Sequence, residues 1–284
     1  MKRKKFKGAA VSRLFLAFLA MVFLVAFLLL LSLRLTLFSE KYMEKQAEKA
    51  DYYSQLTKEM NKQIENSALG SNIPEGVLSN AVEEAIVKED MNNYFTAMYH
   101  PDTPFSIKNE QQVKSSVTEK IKQYAAENNI DLTAESDEAV KLLADQTATV
   151  YKGYIELPFL LSFGNRVMAY SSKLWIFMAV CGVLWIVLSV ILFRSLRGYL
   201  HRLLRYWEYI FVGGGLMMAV IPALILLSGY LKRIGIQSKA MYDFIQAYLS
   251  SFLWMFIYMG IGSILIGVGV AVWSEYQRKH LFSQ

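Results

Sequence analysis

The chain has 284 residues, 54% of them hydrophobic and 19% charged, with a mean hydropathy of +0.27, which is too apolar for an ordinary soluble domain. A net charge of +6 and a pI near 9.1 could suit nucleic acid, but the cations flank apolar spans where membrane orientation accounts for them, so no nucleic-acid partner is expected. One cysteine, Cys181, permits no intramolecular disulfide, and three histidines beside it make no dedicated zinc set; neither metal nor cofactor is expected.

Residues 1–13 form a basic segment with Lys2, Arg3, Lys4, Lys5, Lys7 and Arg13. The run Leu14 to Leu33 has Ser32 as its only polar side chain and, at about 1.5 Å per residue, is long enough to cross a bilayer. It exceeds a signal peptide's apolar core and no A-x-A site follows, so 14–38 reads as an uncleaved first span. Three further spans, 174–193, 209–230 and 252–273, contain no Asp, Glu, Lys, Arg or His.

The alternate sides differ in charge. One carries six cations in the N-terminal segment, four at Arg194, Arg197, Arg202 and Arg205, and two at Arg278 and Lys279, against the acids Glu208 and Glu275. The other carries residues 39–173, with fourteen Lys and Arg against twenty-one Asp and Glu, and the short loop 231–251. The positive-inside rule then puts 1–13, 194–208 and 274–284 in the cytoplasm and 39–173 outside, as expected for a multi-pass protein of a bacterial cell membrane. Arg34 lies near the outer end of the first span, where its stem can snorkel.

The outer segment reads as helices. Met43, Ala47, Ala50, Tyr53, Leu56, Met60 and Ile64 recur at steps of three and four without a Gly or Pro, predicting one helix over 39–65 that continues the first span. Pro74 suits a first helical turn, so a second helix is expected to reach Tyr99, where Pro101 and Pro104 break the chain. A third is predicted over Asn109 to Glu127, and a fourth from Thr133 or Ser136, with Pro158 interrupting it before 159–173 leads into the second span. Four such apolar faces bury best against one another. The predicted fold is therefore all-α: a polytopic membrane protein with four transmembrane helices and an extracytoplasmic helical bundle inserted between the first and second.

Small residues mark two spans: Gly215, Ala219 and Ala223 in the third, and Gly260, Ser263, Gly267, Ala271 and Ser274 in the fourth. Such stripes let backbones approach closely, so these spans are expected to pack together. Arg194, Arg197, His201, Arg205 and Glu208, at steps of three and four, with Leu196, Leu200, Leu203, Leu204 and Trp207 on the apolar side, predict a basic amphipathic helix over 194–208, whose Arg194, Arg197, Arg202 and Arg205 are expected to meet anionic lipid headgroups or a cytoplasmic partner. His100 and Asp102 form an H-x-D pair flanked by Tyr94, Phe95, Tyr99 and Phe105; without further ligands the pair reads as a loop histidine beside a solvated acid, and Tyr94, Tyr99, His100 and Asp102 as a candidate outer partner contact, with two or three of the four aromatics expected in the core instead. Gly260-x-Gly262 lies inside an apolar span, which excludes a dinucleotide loop, and no hydrolase or nucleotide motif is present.

These features point to a non-enzymatic integral membrane protein. Its outer bundle is expected to bind or sense an envelope partner or ligand, relayed or anchored by the spans, with membrane lipids and a protein of the membrane or envelope as partners. The layout of one long outer domain after the first of four spans, with both termini inside, resembles that of the mechanotransmitting permeases of ABC exporter-like systems, which implies a membrane subunit working with a separate ATPase. The resemblance is topological and assigns no residue a role. An enzyme using Glu83, Glu84, Glu89 and Asp90 is disfavoured, because neighbouring helical acids point about 100° apart.

Overall fold

The structure, a computed structural model, describes residues 2–71, 73–131, 133–196 and 200–282, with side chains other than those of 2–10, 200–201 and 279–282. Every regular element among these residues is helical: α1 (Lys2–Leu35), α2 (Glu40–Lys49), α3 (Tyr52–Leu69), α4 (Glu84–Tyr99), α5 (Glu110–Glu127), α6 (Ala134–Ile155), α7 (Pro158–Met168), α8 (Ser171–Ser195), α9 (Leu200–Ser228) and α10 (Lys239–Phe282), with a 3-10 turn over Tyr230–Arg233. Four segments are long and apolar enough to cross a membrane: Val11–Leu35, Ala134–Ser195 with α8 as its apolar part, Arg202–Ser228 and Lys239–Arg278.

The chain divides into two compact units. The first comprises residues 1–38, 170–233 and 249–284. Its interior is built on α1, where Ala17, Ala20 and Leu24 pack against Leu192, Leu196, Leu203 and Ile210. Polar groups are locally satisfied: Ser32 Oγ donates to Leu28 O at 2.8 Å, and Arg34 donates to Phe38 O at 3.2 Å while lying 5.3 Å from the Trp175 ring centroid. Arg13 donates twice to Ser195, to Oγ and to the carbonyl, each at 2.9 Å, tying α1 to the end of α8.

The second unit comprises residues 39–169 and 234–248. Tyr52, Leu56, Met60 and Ile64, one face of α3, are buried with Val87, Met91, Tyr94 and Phe95 of α4, Val113, Val117 and Ile121 of α5, and Val140, Leu143 and Tyr151 of α6. The first turns of α10 join this core: Phe244 stacks on Tyr52 with centroids 4.7 Å apart and lies 6.0 Å from Phe95. Burial of one such ring is worth roughly 1.5–3 kcal/mol. Asp90, fully buried, accepts from Tyr151 Oη at 2.7 Å and from the backbone N–H groups of Lys108 and Asn109 at 3.0 and 3.2 Å. One carboxylate thus pins α6 and the start of α5 to α4.

The helices differ from expectation in four places. The predicted helix over 39–65 is broken at Asp51, whose left-handed φ of 52° separates α2 from α3, and Ser39 caps a fresh start after α1 by accepting from Tyr42 N. Pro74 begins turns rather than a helix, because Gly76 adopts φ 92°; α4 starts only at Glu84. The basic stretch 194–208 is not a separate surface helix among the described residues. Arg194 ends α8 and Arg202 and Arg205 open α9, since Leu196 and Leu203 are drawn into the core against Ala17 and Ala20. Finally, most of the segment read as the loop 231–251 is the N-terminal part of a 44-residue helix, α10.

Candidate functional site

The second unit contains a groove of about 760 Å³. One wall is the face of α3 that carries Leu56, Glu59, Gln63 and Asn66, residues three and four apart, with Lys62 beside them. The opposite wall is α6, from Val150 to Tyr154, and the third is the segment Ile236–Met241 at the start of α10. Gly153 keeps the α6 wall low: a Cβ there would meet nothing within 4 Å.

Glu59 organises the third wall. Its Oε2 accepts from Ser238 Oγ at 2.7 Å and its Oε1 from Ala240 N at 2.8 Å, while Ser238 Oγ accepts from Met241 N at 3.1 Å. Two otherwise unpaired amides at the N-terminus of α10 are thereby satisfied, and a carboxylate stands where the helix dipole favours one. Burial and the Glu59 charge push the Tyr154 phenol above its ordinary value. Lys62 pairs with no carboxylate among the described residues. The groove thus offers a free ammonium, amide donors and acceptors at Gln63, Asn66 and Gln237, and apolar contact from Leu56, Val150 and Met241. Among the described residues no three of His, Cys, Asp and Glu come close enough to hold a metal ion.

The residues singled out from sequence fall elsewhere. Tyr94 is fully buried and donates to Leu157 O at 2.6 Å, and Tyr99 is 9% exposed near Met43, so both belong to the core and not to a partner surface. Burial pushes the Tyr94 phenol up to about 12. His100 and Asp102 are exposed; His100 Nε2 lies 3.1 Å from Glu40 Oε2, and the other oxygen of that carboxylate accepts from Thr96 Oγ1 at 2.6 Å. Asp102 has no part in this pairing.

In the first unit the small residues of α9 and α10 meet. A Cβ on Gly215 would lie 2.5 Å from Gly260 O, and one on Gly260 would lie 2.6 Å from Gly215 O and 3.1 Å from Ala219 Cβ. Ser263 Oγ donates to Phe211 O at 2.8 Å, and Gly267 abuts Val212. Ala223 is partly buried. Arg194, Arg202 and Arg205 are exposed, and Arg197 lies outside the described residues.

Glu59 and the wall 236–241 were not singled out from sequence. A signal for the latter exists: Ser238 precedes Met241, Phe244 and Tyr248 at steps of three and four, a capped amphipathic start hidden by the stronger apolar run after it. Comparison with protein-family models, curated proteins and solved structures finds no match to the chain.

Proposed function

We propose that the chain is a non-enzymatic multi-pass protein of the cell membrane, with both termini in the cytoplasm and the helical unit outside. That unit binds an envelope ligand or protein in the groove between α3, α6 and 236–241 and relays the event through α10. The observation that carries this reading is the position of α10: its cap, Ser238 held by Glu59, lines the groove, and the same helix continues unbroken through the apolar fourth span. An occupant touching Gln237, Ser238 or Met241 strengthens or loosens that cap, and a first helical turn is the costliest part of a helix to form. The charge asymmetry of the chain supports the orientation.

The test uses single cysteines in a Cys181→Ser background, labelled in intact cells with a membrane-impermeant maleimide. Gly153→Cys is expected to react in intact cells and Ser12→Cys only after lysis; the reverse pattern overturns the orientation. A photo-crosslinking residue in place of Gly153 is expected to give a defined adduct that the same residue at the exposed Leu142 does not. Identical adducts, or none at Gly153, overturn the binding role.

A further inference from the structure

A second groove, of about 450 Å³, lies in the first unit between α1 and α9. We infer that it is the binding site for one anionic phospholipid, with the acyl chain in the groove and the phosphate at Arg205. This site is independent of the ligand proposed for the helical unit.

The groove floor is Ala17 and Ile210, 4% and 2% exposed, and its walls are Leu14, Phe15 and Phe18 on α1 and Tyr209 on α9, all more than half exposed. A small residue between large neighbours leaves the slot: Ala17 lies in the interior, while Leu14 and Phe18 stand out beside it. The Tyr209 phenol is the only polar side chain in the lining. A slot of this kind accepts a hydrocarbon chain and offers one hydroxyl at its rim.

Charge decides which lipid. Arg205 lies one turn before Tyr209 on α9, so the two share a face. Arg205 is exposed and ion-paired with no acid among the described residues, Glu208 included. Arg13, on α1, is occupied by its two hydrogen bonds to Ser195, so of these two arginines it is Arg205 that offers an uncommitted guanidinium. A phosphodiester bearing net negative charge matches a cation above an apolar slot. A zwitterionic lipid gains less there.

Native mass spectrometry of the full chain tests the site, after purification in micelles containing equal phosphatidylglycerol and phosphatidylcholine. Wild type is expected to retain one phosphatidylglycerol at activation energies that strip phosphatidylcholine. Arg205→Gln is expected to reduce that preference about fivefold, the effect of roughly one surface cation on an anionic lipid. Arg205→Lys should keep most of it, Arg194→Gln all of it, and Leu14→Ser should weaken retention of both lipids. Circular dichroism and monodispersity check that each variant is folded. Equal retention of the two lipids by wild type, an unchanged preference in Arg205→Gln, or a lipid-free dimer, which would mean that a second copy fills the slot, overturns the proposal.

Discussion

Glu59 and Ala240, 181 positions apart in the chain, are joined by a 2.8 Å hydrogen bond from the Ala240 amide to the Glu59 carboxylate. With Ser238 donating to the other oxygen, a side chain of α3 serves as the cap of α10. Removing it in Glu59→Ala leaves both donors unpaired and is expected to cost on the order of 1–2 kcal/mol, whereas Glu59→Gln, which keeps one acceptor, costs less. Hydrogen exchange of residues 239–244 in the full chain in nanodiscs measures this; equal protection in both variants and wild type is the contrary outcome.

The buried carboxylate of Asp90 serves three donors, so Asp90→Ala is expected to destabilise by about 3 kcal/mol, and Tyr151→Phe, which removes one donor and keeps the carboxylate paired, by roughly 1–2 kcal/mol. Exchange rates across α4 and α5 report both. The two variants exchanging alike would mean that the backbone bonds to Lys108 and Asn109 contribute nothing.

Hydrogen bonds from Lys152 and then Lys114, 2.7 and 3.2 Å away, hold the Glu110 carboxyl below its ordinary value of 4.5. A carboxyl lowered by folding stabilises the folded state above its unfolded pKa, and that contribution disappears as pH falls through the folded pKa. Wild type is therefore expected to be modestly more stable than Glu110→Gln above about pH 5, with the gap closing on acidification. Thermal unfolding of both proteins across this range checks the sign, and a gap that widens in acid contradicts it.

Packing of α9 on α10 depends on absent side chains. A Cβ at Gly267 would lie 2.6 Å from Val212 Cγ2 and 3.1 Å from Val212 N, while Leu265 is 66% exposed. Gly267→Leu is expected to cost about 2 kcal/mol or more and to lower folding yield in bilayers, with Leu265→Ala near neutral. Equal yields would remove the small-residue interface.

Several of these features were legible in the sequence because they depend on residues near one another in the chain. The four spans follow from composition alone, Thr133 is the N-cap of α6, and the bounds of α5 follow from Asn109 and Asn128. Asp51 was not legible, since the apolar stripe around it has helical spacing on both sides of the break. Arg202 and Arg205 misled for a related reason: a basic amphipathic stripe looks the same whether its leucines face lipid or, as Leu203 does, the core. The groove was hidden because Glu59, Gly153 and Ser238 lie on three segments far apart in sequence and only the fold brings them together.

The most direct test of the relay places a known occupant in the groove. Gly153→Cys in the Cys181→Ser background is alkylated with biotin-maleimide in nanodiscs, and hydrogen exchange of the full chain is compared before and after. The expected result is a change in exchange at residues 238–248, the segment that caps and begins α10, while residues 110–127 on α5 stay unchanged. Full alkylation with no change at 238–248 would contradict a groove that acts on the fourth span.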